Sequence, residues 1–493
     1  MRRYAFLASV LLVAGCTMGP DYVPPKVDAP PAYRYEEKEA KATANTVFWS
    51  QFGDAVLDGL IAEALANNKQ VQIAAARVEQ AAAVLTQATA PLYPQVGYGA
   101  SGGRAQGSES NATPVPPGVP NPQNSLQTLA GASWEIDLWG RIRRLSEAAR
   151  ANLLAAEEAR RAVLLSLVSS VASTYIQLLG LDEQLAVSKR SLGTYGESVR
   201  LFELKFAHGQ VSQMNVEQAR TQYETAAVVI PQIGVLIVRT ENALSTLLGR
   251  NPGPVARGKT IGTLALPAVP AGIPSETLAN RPDIRQAEQE LIAANAQIGA
   301  AKALYFPSIS LTGAFGFASA DLSKLFQGPA LTWSWTASLT GPLFAAGAIT
   351  AQVRQAEAGQ KAALFGYQAS IQSAFADVEN ALASHRFLVE QVAAQGRLVR
   401  AGSEYERLAR LQFDGGYAPY STVLQAEQQL FPSELNFAQY RVDLFNSLVD
   451  IYKAMGGGWV AGADTMTGLP MSPVSATGTA SGDSTEAAAT PKE

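Results

Sequence analysis

Apolar and polar residues alternate with a period of two in four segments of the chain, which marks them as strands. The strictest is Leu331-Thr332-Trp333-Ser334-Trp335-Thr336-Ala337-Ser338-Leu339-Thr340, with five apolar residues on one face and five hydroxyls on the other. Ile309, Leu311, Phe315 and Phe317 share one face of a second segment. In a third, Ala130, Ala132, Trp134, Ile136 and Leu138 alternate with Gly131, Ser133, Glu135 and Asp137. Val96, Tyr98 and Ala100 form a weaker set. Strands are expected over about 93–104, 126–139, 307–318 and 330–343.

Helical patterns fill most of the remainder. Stretches rich in Ala and Gln, about 55–90 and 276–305, are ended by Pro91 and Pro307. After each strand pair comes a very long helical stretch, 141–206 and 347–413. Each would extend ~100 Å at a rise of ~1.5 Å per residue. Each ends at a Gly-containing turn, and a returning helix follows over 213–248 and 420–455. Ile371, Phe375, Val378, Leu382, His385, Val389 and Val392 are spaced 4, 3, 4, 3, 4, 3, a heptad seam. Leu164, Val168, Val171, Tyr175 and Leu178 run the same way. Elements of this length are coiled hairpins and not parts of an ordinary globular domain.

The pattern is written twice. Leu65-Ala66-Asn67-Asn68 recurs as Leu278-Ala279-Asn280-Arg281, and Tyr93-Pro94 as Phe306-Pro307, both at an offset of 213. Leu138-Trp139 matches Leu343-Phe344 at 205, and Phe206-Ala207-His208-Gly209 matches Phe413-Asp414-Gly415-Gly416 at 207. Landmarks in one order with small changes of offset indicate a duplicated half-molecule, too long for a solenoid unit. The halves cover 54–250 and 276–459, joined by a Pro/Gly linker over 251–275.

The N-terminus reads as an address. Arg2 and Arg3 precede an apolar stretch from Tyr4 to Ala14, too short for the ~20 residues of a spanning helix, so residues 1–15 are a signal peptide. Val13-Ala14-Gly15-Cys16 resembles a bacterial lipobox. That resemblance implies a diacylglycerol on the Cys16 sulfur and an acyl chain on the amine that cleavage frees. Several buried chains at ~0.8 kcal/mol per CH₂ make a durable anchor. Thr17, in place of Asp after the cysteine, resembles outer-membrane cargo of a diderm bacterium.

A face of Trp, Ile and Leu opposite one of Ser, Thr and Glu fits a soluble sandwich or a membrane barrel, and period alone does not separate them. Strand length and the N-terminal address favour the barrel. Its lipid-facing residues are then Trp134, Ile136, Ile309, Leu311, Phe315, Phe317, Leu331, Trp333, Trp335 and Leu339. Four strands cannot close a barrel, and open edges cannot exist in lipid, so strands must be pooled across copies. The loops 102–124 and 319–329 would face the exterior, and Asn111-Ala112-Thr113 is a chance sequon in a bacterial chain.

Composition removes other classes. The chain has 493 residues, 38 Lys+Arg against 42 Asp+Glu (net −4), one Cys and two His. A single Cys excludes an internal disulfide framework and a Cys-rich zinc site. No basic stripe points to nucleic acid. His208 in a turn and His385 on a helix seam suit surface and packing roles. The charge-free run Ala162–Leu181 has the length of a transmembrane helix, but Ser166, Ser169, Ser170, Ser173, Thr174 and Gln177 line one face, which suits a buried helix. Gly253-Pro254-Val255-Ala256-Arg257-Gly258-Lys259-Thr260 satisfies the phosphate-loop pattern. A helix ends before it and no helical period follows, so it reads as linker. No catalytic constellation or cofactor fingerprint stands out. Residues 460–493, mostly Ala, Ser, Thr and Gly, read as a disordered tail.

These residues carry a family resemblance. Cys16-Thr17-Met18-Gly19-Pro20-Asp21-Tyr22 with Pro24 resembles the start of outer-membrane efflux lipoproteins of the NodT/OprM branch, relatives of TolC. Further matches are Trp49, Phe52, Asp54, Leu57 and Leu60; Asp137-Leu138-Trp139-Gly140-Arg141; Ala279-Asn280-Arg281-Pro282-Asp283-Ile284; and Ala454-Met455-Gly456-Gly457-Gly458-Trp459, over about 16–460. The resemblance implies a mixed α and transmembrane β fold, with four strands per protomer pooled into a 12-stranded trimeric barrel. The barrel would be continuous with a long periplasmic tunnel of coiled helical hairpins. It implies the passive exit duct of a tripartite pump, a homotrimer without catalytic activity. Its partners would be a periplasmic adaptor, an inner-membrane transporter of the resistance-nodulation-division type and outer-membrane lipid. No cofactor is implied apart from the Cys16 lipid.

In the family the turns between long helices form the closed periplasmic end, where adaptors dock. Here those residues are Lys205, Phe206, His208, Gly209 and Gln210, and Phe413, Asp414, Gly415, Gly416 and Tyr417. Some relatives carry an acidic ring after the second glycine; this chain has Tyr417-Ala418-Pro419-Tyr420. Asp414, just before the glycines, is the substitute candidate: in three copies it would favour cations and repel its own copies unless Arg407 or Arg410 pairs with it. A lipid-tethered periplasmic adaptor would show one hairpin and no membrane-facing strands. An outlet for type I protein secretion would share the fold. The lipobox favours efflux of small toxic solutes, and the lack of Met or His clusters argues against a dedicated copper or silver duct.

Overall fold

The computed structural model describes residues 17–27, 32–35, 47–108, 110, 115–116, 118–267, 269, 281–456 and 458–469. The signal peptide, Cys16, residues 276–280 and most of the C-terminal tail lie outside them. The helices are α1 (Ala55–Asn67), α2 (Lys69–Thr89), α3 (Arg141–Ala207), α4 (Gln213–Leu247), α5 (Pro282–Ala303), α6 (Ala348–Asp414), α7 (Tyr420–Ala454) and α8 (Val460–Met466). The strands are β1 (Gln95–Ala105), β2 (Gln123–Ile136), β3 (Ser308–Ser319) and β4 (Leu331–Thr340). The chain divides into two compact units.

The first unit, within Met1–Lys26, Glu79–Ala155 and Ala287–Tyr367, holds the sheet. Its order is β1-β2-β3-β4, every pairing antiparallel, with β1 and β4 at the edges. Residues paired across antiparallel strands share a face. Tyr98, Ala130, Phe315 and Trp333 form one such row, and Val96, Ala132, Gly313 and Trp335 the next. Trp134 with Leu311, Ile136 with Ile309 and Leu339, and Phe317 with Leu331 lie on the same face. The other face carries small and polar residues, as in the row Gln95, Ser133, Thr312 and Thr336.

The second unit, within Val27–Val78, Ala156–Gln286 and Gln368–Glu493, holds the largest apolar core. Phe48 stacks on Tyr452 at 4.9 Å and meets Trp459 edge-on at 5.3 Å. Leu164, Val168, Val171, Tyr175 and Leu178 of α3 are all fully buried in this cluster. The charge-free run of α3 is therefore a core helix, with only Ser166 exposed and Ser170, Ser173, Thr174 and Gln177 half-buried along its polar face.

Four local expectations change. The stretch 55–90 is two helices, because the Asn68 side chain intervenes. Its Oδ1 accepts from the Gln70 and Val71 amides, capping α2, while its Nδ2 donates to the Leu247 carbonyl. β2 stops at Ile136, and Asp137 is a cap rather than a strand residue: its carboxylate accepts from the Ile142 and Arg143 amides at the start of α3. Val389 leaves the heptad seam and is exposed, since a straight helix drifts against a strict seven-residue repeat. Finally, α3 and α6 are each 67 residues and α4 and α7 each 35, with every boundary displaced by 207. Leu138-Trp139 therefore aligns with Ala345-Ala346 and not with Leu343-Phe344.

Candidate functional site

The two helical turns are built alike. At the end of α3 the Gln210 amide donates to the Lys205 carbonyl at 2.9 Å and the Gly209 amide to the Phe206 carbonyl at 2.9 Å. At the end of α6 the Tyr417 amide donates to Gln412 at 2.9 Å and the Gly416 amide to Phe413 at 3.0 Å. This double closure needs a left-handed residue, and Gly209 (φ 70°) and Gly416 (φ 75°) supply it. The turns share one apolar cluster: Phe202 lies 4.2 Å from Tyr420 and 5.9 Å from Phe413. The Lys205 ammonium sits 4.8 Å above the Phe413 ring. The exposed His208 places Nδ1 2.8 Å from the Leu204 carbonyl.

Arg407 and Arg410 do not pair with Asp414. Arg407 binds Glu404 at 2.7 Å, and Arg410 binds both Glu406 and Glu427 at 2.8 Å. Asp414 is exposed and has no ion pair among the described residues. The residue that sequence reasoning missed is Glu427, only 2% exposed. Burial pushes its carboxyl up to about 7, with Glu406 adding to the rise and Arg410 opposing it. Its signal was an acid among Val423, Ala426 and Phe431 on the buried stripe of α7.

At the other candidate region, the apolar face of the sheet is largely uncovered among the described residues. Trp333 and Trp335 are 67% and 69% exposed and Tyr98 is 96% exposed. Phe317 is covered in part by Phe326, 5.7 Å away, and Trp134 donates its Nε1 hydrogen to the Leu92 carbonyl at 3.0 Å. The segment after Cys16 is strapped beside this sheet. The Met18 amide donates to the Trp139 carbonyl, Arg144 donates to the Met18 carbonyl and to Asp21 (2.7 Å), and Asn295 donates to the Pro20 carbonyl. Gly19 (φ 94°) meets Gly299 backbone to backbone, where a Cβ on either residue collides. Thr17 packs against Gly140, at the junction of β2 and α3. Cys16 itself lies outside the described residues.

The phosphate-loop pattern faces protein. The Lys259 amide and the Tyr175 hydroxyl both donate to Asp54 Oδ2 at 2.9 Å, and the Gly258 amide donates to the Tyr175 hydroxyl at 2.9 Å. These amides hold a linker against a core helix and leave no cradle for phosphate. The Arg281 motif is likewise structural: its guanidinium binds Asp283 and Asp377 and donates to the Ala454 carbonyl at the end of α7. His385 Nδ1 lies 2.9 Å from Ser447 Oγ inside the bundle. No group of three or more potential metal ligands occurs among the described residues.

Among the described residues, two helices are long and apolar enough to cross a membrane by length and composition. The relevant window of α3 is mostly buried. That of α4 is mostly exposed, with Val228, Val235, Leu236 and Val238 on its surface. Sequence reasoning missed this second face, although the run 225–238 carries no charge.

A family model described as "Outer membrane efflux protein" matches residues 60–250 and 273–457. The solvent efflux pump outer membrane protein SrpC of Pseudomonas putida is 36% identical over 459 residues, 92% of this chain and 97% of that protein. The cation efflux system protein CusC of Escherichia coli is 34% identical over 463 residues, 91% of this chain and 97% of that protein. The crystal structure of the Campylobacter jejuni CmeC outer membrane channel superposes with a TM-score of 0.84 at 27% identity, over 90% of this chain and 95% of that one.

Proposed function

The chain belongs to the outer membrane efflux protein family and is an outer-membrane channel of an efflux system, and on that premise we propose that it is the trimeric exit duct of a tripartite pump. The observation that carries the reading is the sheet. It has four strands, two open edges and one face of exposed Trp, Tyr, Phe and Leu. Open edges leave backbone groups unpaired in hydrocarbon, where each costs several kcal/mol, so the wall must close with other copies. Three copies pool 12 strands, with the ten apolar residues named above facing lipid. The exposed apolar stretch of α4 is then covered by a neighbouring copy.

The turns at Lys205–Gln210 and Phe413–Tyr417 are the proposed periplasmic end and docking surface for an adaptor, with Asp414 its exposed carboxylate. An inner-membrane transporter of the resistance-nodulation-division type supplies the energy. The chain is assigned to the NodT/OprM branch, with residues 16–53 as the lipidated segment, 54–250 and 276–459 as the repeats, 251–275 as the equatorial linker and 460–493 as a tail. The strap supports acylation of Cys16: it holds Thr17 at the base of the sheet, where an attached acyl chain meets the membrane surface. The cargo is a small toxic solute. The likeness to a solvent-pump component and to a cation-system component at 36% and 34% identity does not choose between cargo classes.

The test is native mass of detergent-extracted protein, with drug and solvent susceptibility of a strain deleted for it. A trimer whose loss sensitises the cell supports the reading, and a monomer refutes it. Radiolabelled palmitate must enter the wild type and not Cys16→Ser.

A further inference from the structure

The duplication makes one junction inside the chain equivalent to a junction that a single chain leaves open. β1 corresponds to β3 and β2 to β4. Gln95 pairs with Ser133 and Ser308 pairs with Thr340, so β1 maps onto β3 by 308 − 95 = 213 and β2 onto β4 by 340 − 133 = 207. The second shift is independently that of the helix boundaries, as in 348 − 141 = 207. Within the chain the outer edge of β2 is filled by β3 of the other repeat. The corresponding edge of β4 is unpaired among the described residues, and so is the corresponding edge of β1.

We propose that β4 of one copy pairs antiparallel with β1 of the next in the register obtained by carrying the β2–β3 pairing through these two shifts. Ala132 faces Gly313 in the chain, which transforms to Leu339 opposite Ala100 of the partner subunit. Thr128 faces Phe317, which transforms to Trp335 opposite Arg104 of the partner subunit. The ladder then runs from Ser334 to Thr340, against residues 105 to 99 of the partner subunit. This deepens the trimeric reading and rests on it.

One observation and two consequences of the internal symmetry support this register. It keeps the faces sorted: Leu339 and Trp335 belong to the exposed apolar face of β4, and Ala100 shares its face with Tyr98 and Val96. A slip of one residue would turn one strand's apolar set into the polar interior. Second, the junction is head-to-tail, β4 to β1, so it leaves no edge once the ring closes. Third, the same shifts give a helical contact. Ala148 and Ala151 of α3 pack on Ala293 and Ala296 of α5 within the chain. They transform to Gln355 and Ala358 of α6 against Gln80 and Ala83 of the partner subunit. Ala358 and Ala83 are exposed in the chain, and their small side chains allow close approach there, with the exposed Gln355 and Gln80 in place of the other two alanines.

The experiment is disulfide trapping in membranes, which the sequence favours because Cys16 is its one cysteine. Opposed residues of a strand pair fall within the Cα separation a disulfide spans, about 4.4–6.8 Å. Mild oxidation of the Leu339→Cys/Ala100→Cys protein is expected to give covalent trimers on a denaturing gel. The yield should be at least tenfold above Leu339→Cys/Ser101→Cys, whose thiols point to opposite faces. Leu339→Cys alone and the wild type are expected to stay uncrosslinked. Native mass of each variant is measured in parallel. A trimeric mass without the expected crosslink, or with a stronger one from Leu339→Cys/Tyr98→Cys, overturns the register and leaves the trimer standing. Dimers from Leu339→Cys alone indicate β4–β4 pairing and overturn the proposal. A monomeric mass overturns the trimeric reading beneath it.

Discussion

Replacing Arg410 by Ala should loosen the end of the second hairpin in a pH-dependent way. Glu427 accepts a hydrogen bond from Arg410 Nη2 at 2.8 Å, and its second carboxylate oxygen is buried without a hydrogen-bond partner among the described residues. Glu406 competes for the same guanidinium at 2.8 Å. Tyr195 donates to the Glu427 carbonyl, and burial pushes both Tyr195 and Tyr420 up to about 12, so neither supplies charge at neutral pH. Burial raises the Glu427 carboxyl from 4.5 to about 7. The folded value lies above the unfolded one. Its contribution to stability is therefore fully present below about pH 4.5 and is lost as pH rises through about 7. At ~1.36 kcal/mol per unit the span is about 3 kcal/mol.

Removing Arg410 takes away the charge that holds ionised Glu427 in place, and breaking a buried pair costs roughly 3–5 kcal/mol. Near pH 8 the variant should exchange the amide hydrogens around Val423 to Phe431 on the order of 100-fold faster, once intrinsic rates are divided out, the equivalent of about 3 kcal/mol. Near pH 5 the carboxyl is protonated and needs no counter-charge, so the acceleration should fall below about tenfold. Glu427→Gln in the same background should restore protection at pH 8. An acceleration of equal size at both pH values, or none, would refute the reasoning.

Three further outcomes follow from contacts already described. Tyr175→Phe strands the Gly258 amide and removes a donor from Asp54, so Tm should fall by an amount equivalent to about 1–3 kcal/mol; an unchanged melting curve would show that the linker is not held there. Trp335→Lys places a charge on the exposed apolar face and should cost roughly 2–4 kcal/mol per copy if that face meets lipid, whereas Thr336→Lys on the opposite face should be tolerated. Refolding into lipid vesicles, read as a gel-mobility shift, separates the two. Gly299→Ala drives a Cβ into the Met18 carbonyl and Arg144, so the strap should unseat and residues 17–27 become sensitive to protease while the sheet stays protected; unchanged resistance would mean that the strap is held elsewhere.

How much of this was legible depends on whether a feature is periodic. The alternation at Leu331–Thr340 and the stripe Leu164, Val168, Val171, Tyr175 and Leu178 repeat a physical constraint many times, and both survive into the structure. Single-residue events repeat nothing. Asn68 breaks a helix that the Ala-rich pattern carries straight through, because one side chain satisfies two amides and a distant carbonyl at once. Asp137 continues the alternation of β2 in sequence but is taken by the helix that follows. Arg410 was a possible partner for Asp414, yet its guanidinium binds Glu406 on its own helix and Glu427, 17 residues away in sequence and adjacent in the bundle. Arg407–Glu404 and Arg410–Glu406 follow helical spacing, but the pair to the buried Glu427 is set by a tertiary neighbour, which spacing along one helix does not report.

The two shifts also show where the duplicated halves were free to diverge. Their difference, 213 − 207 = 6, must be absorbed between the first and second strand of a repeat. The connection from Ala105 to Gln123 has 17 intervening residues and that from Ser319 to Leu331 has 11. The loop takes up the whole difference, as connections between strands tolerate insertion. The hairpins take up none. Phe202 from one hairpin must meet Phe413 and Tyr420 from the other, and one extra turn in either long helix would carry its tip ~5.4 Å past its counterpart. Equal lengths of 67 and 35 residues are thus a requirement of the shared tip cluster. An insertion of one helical turn in α3 alone should abolish that cluster, whereas a matched insertion in all four long helices should preserve it.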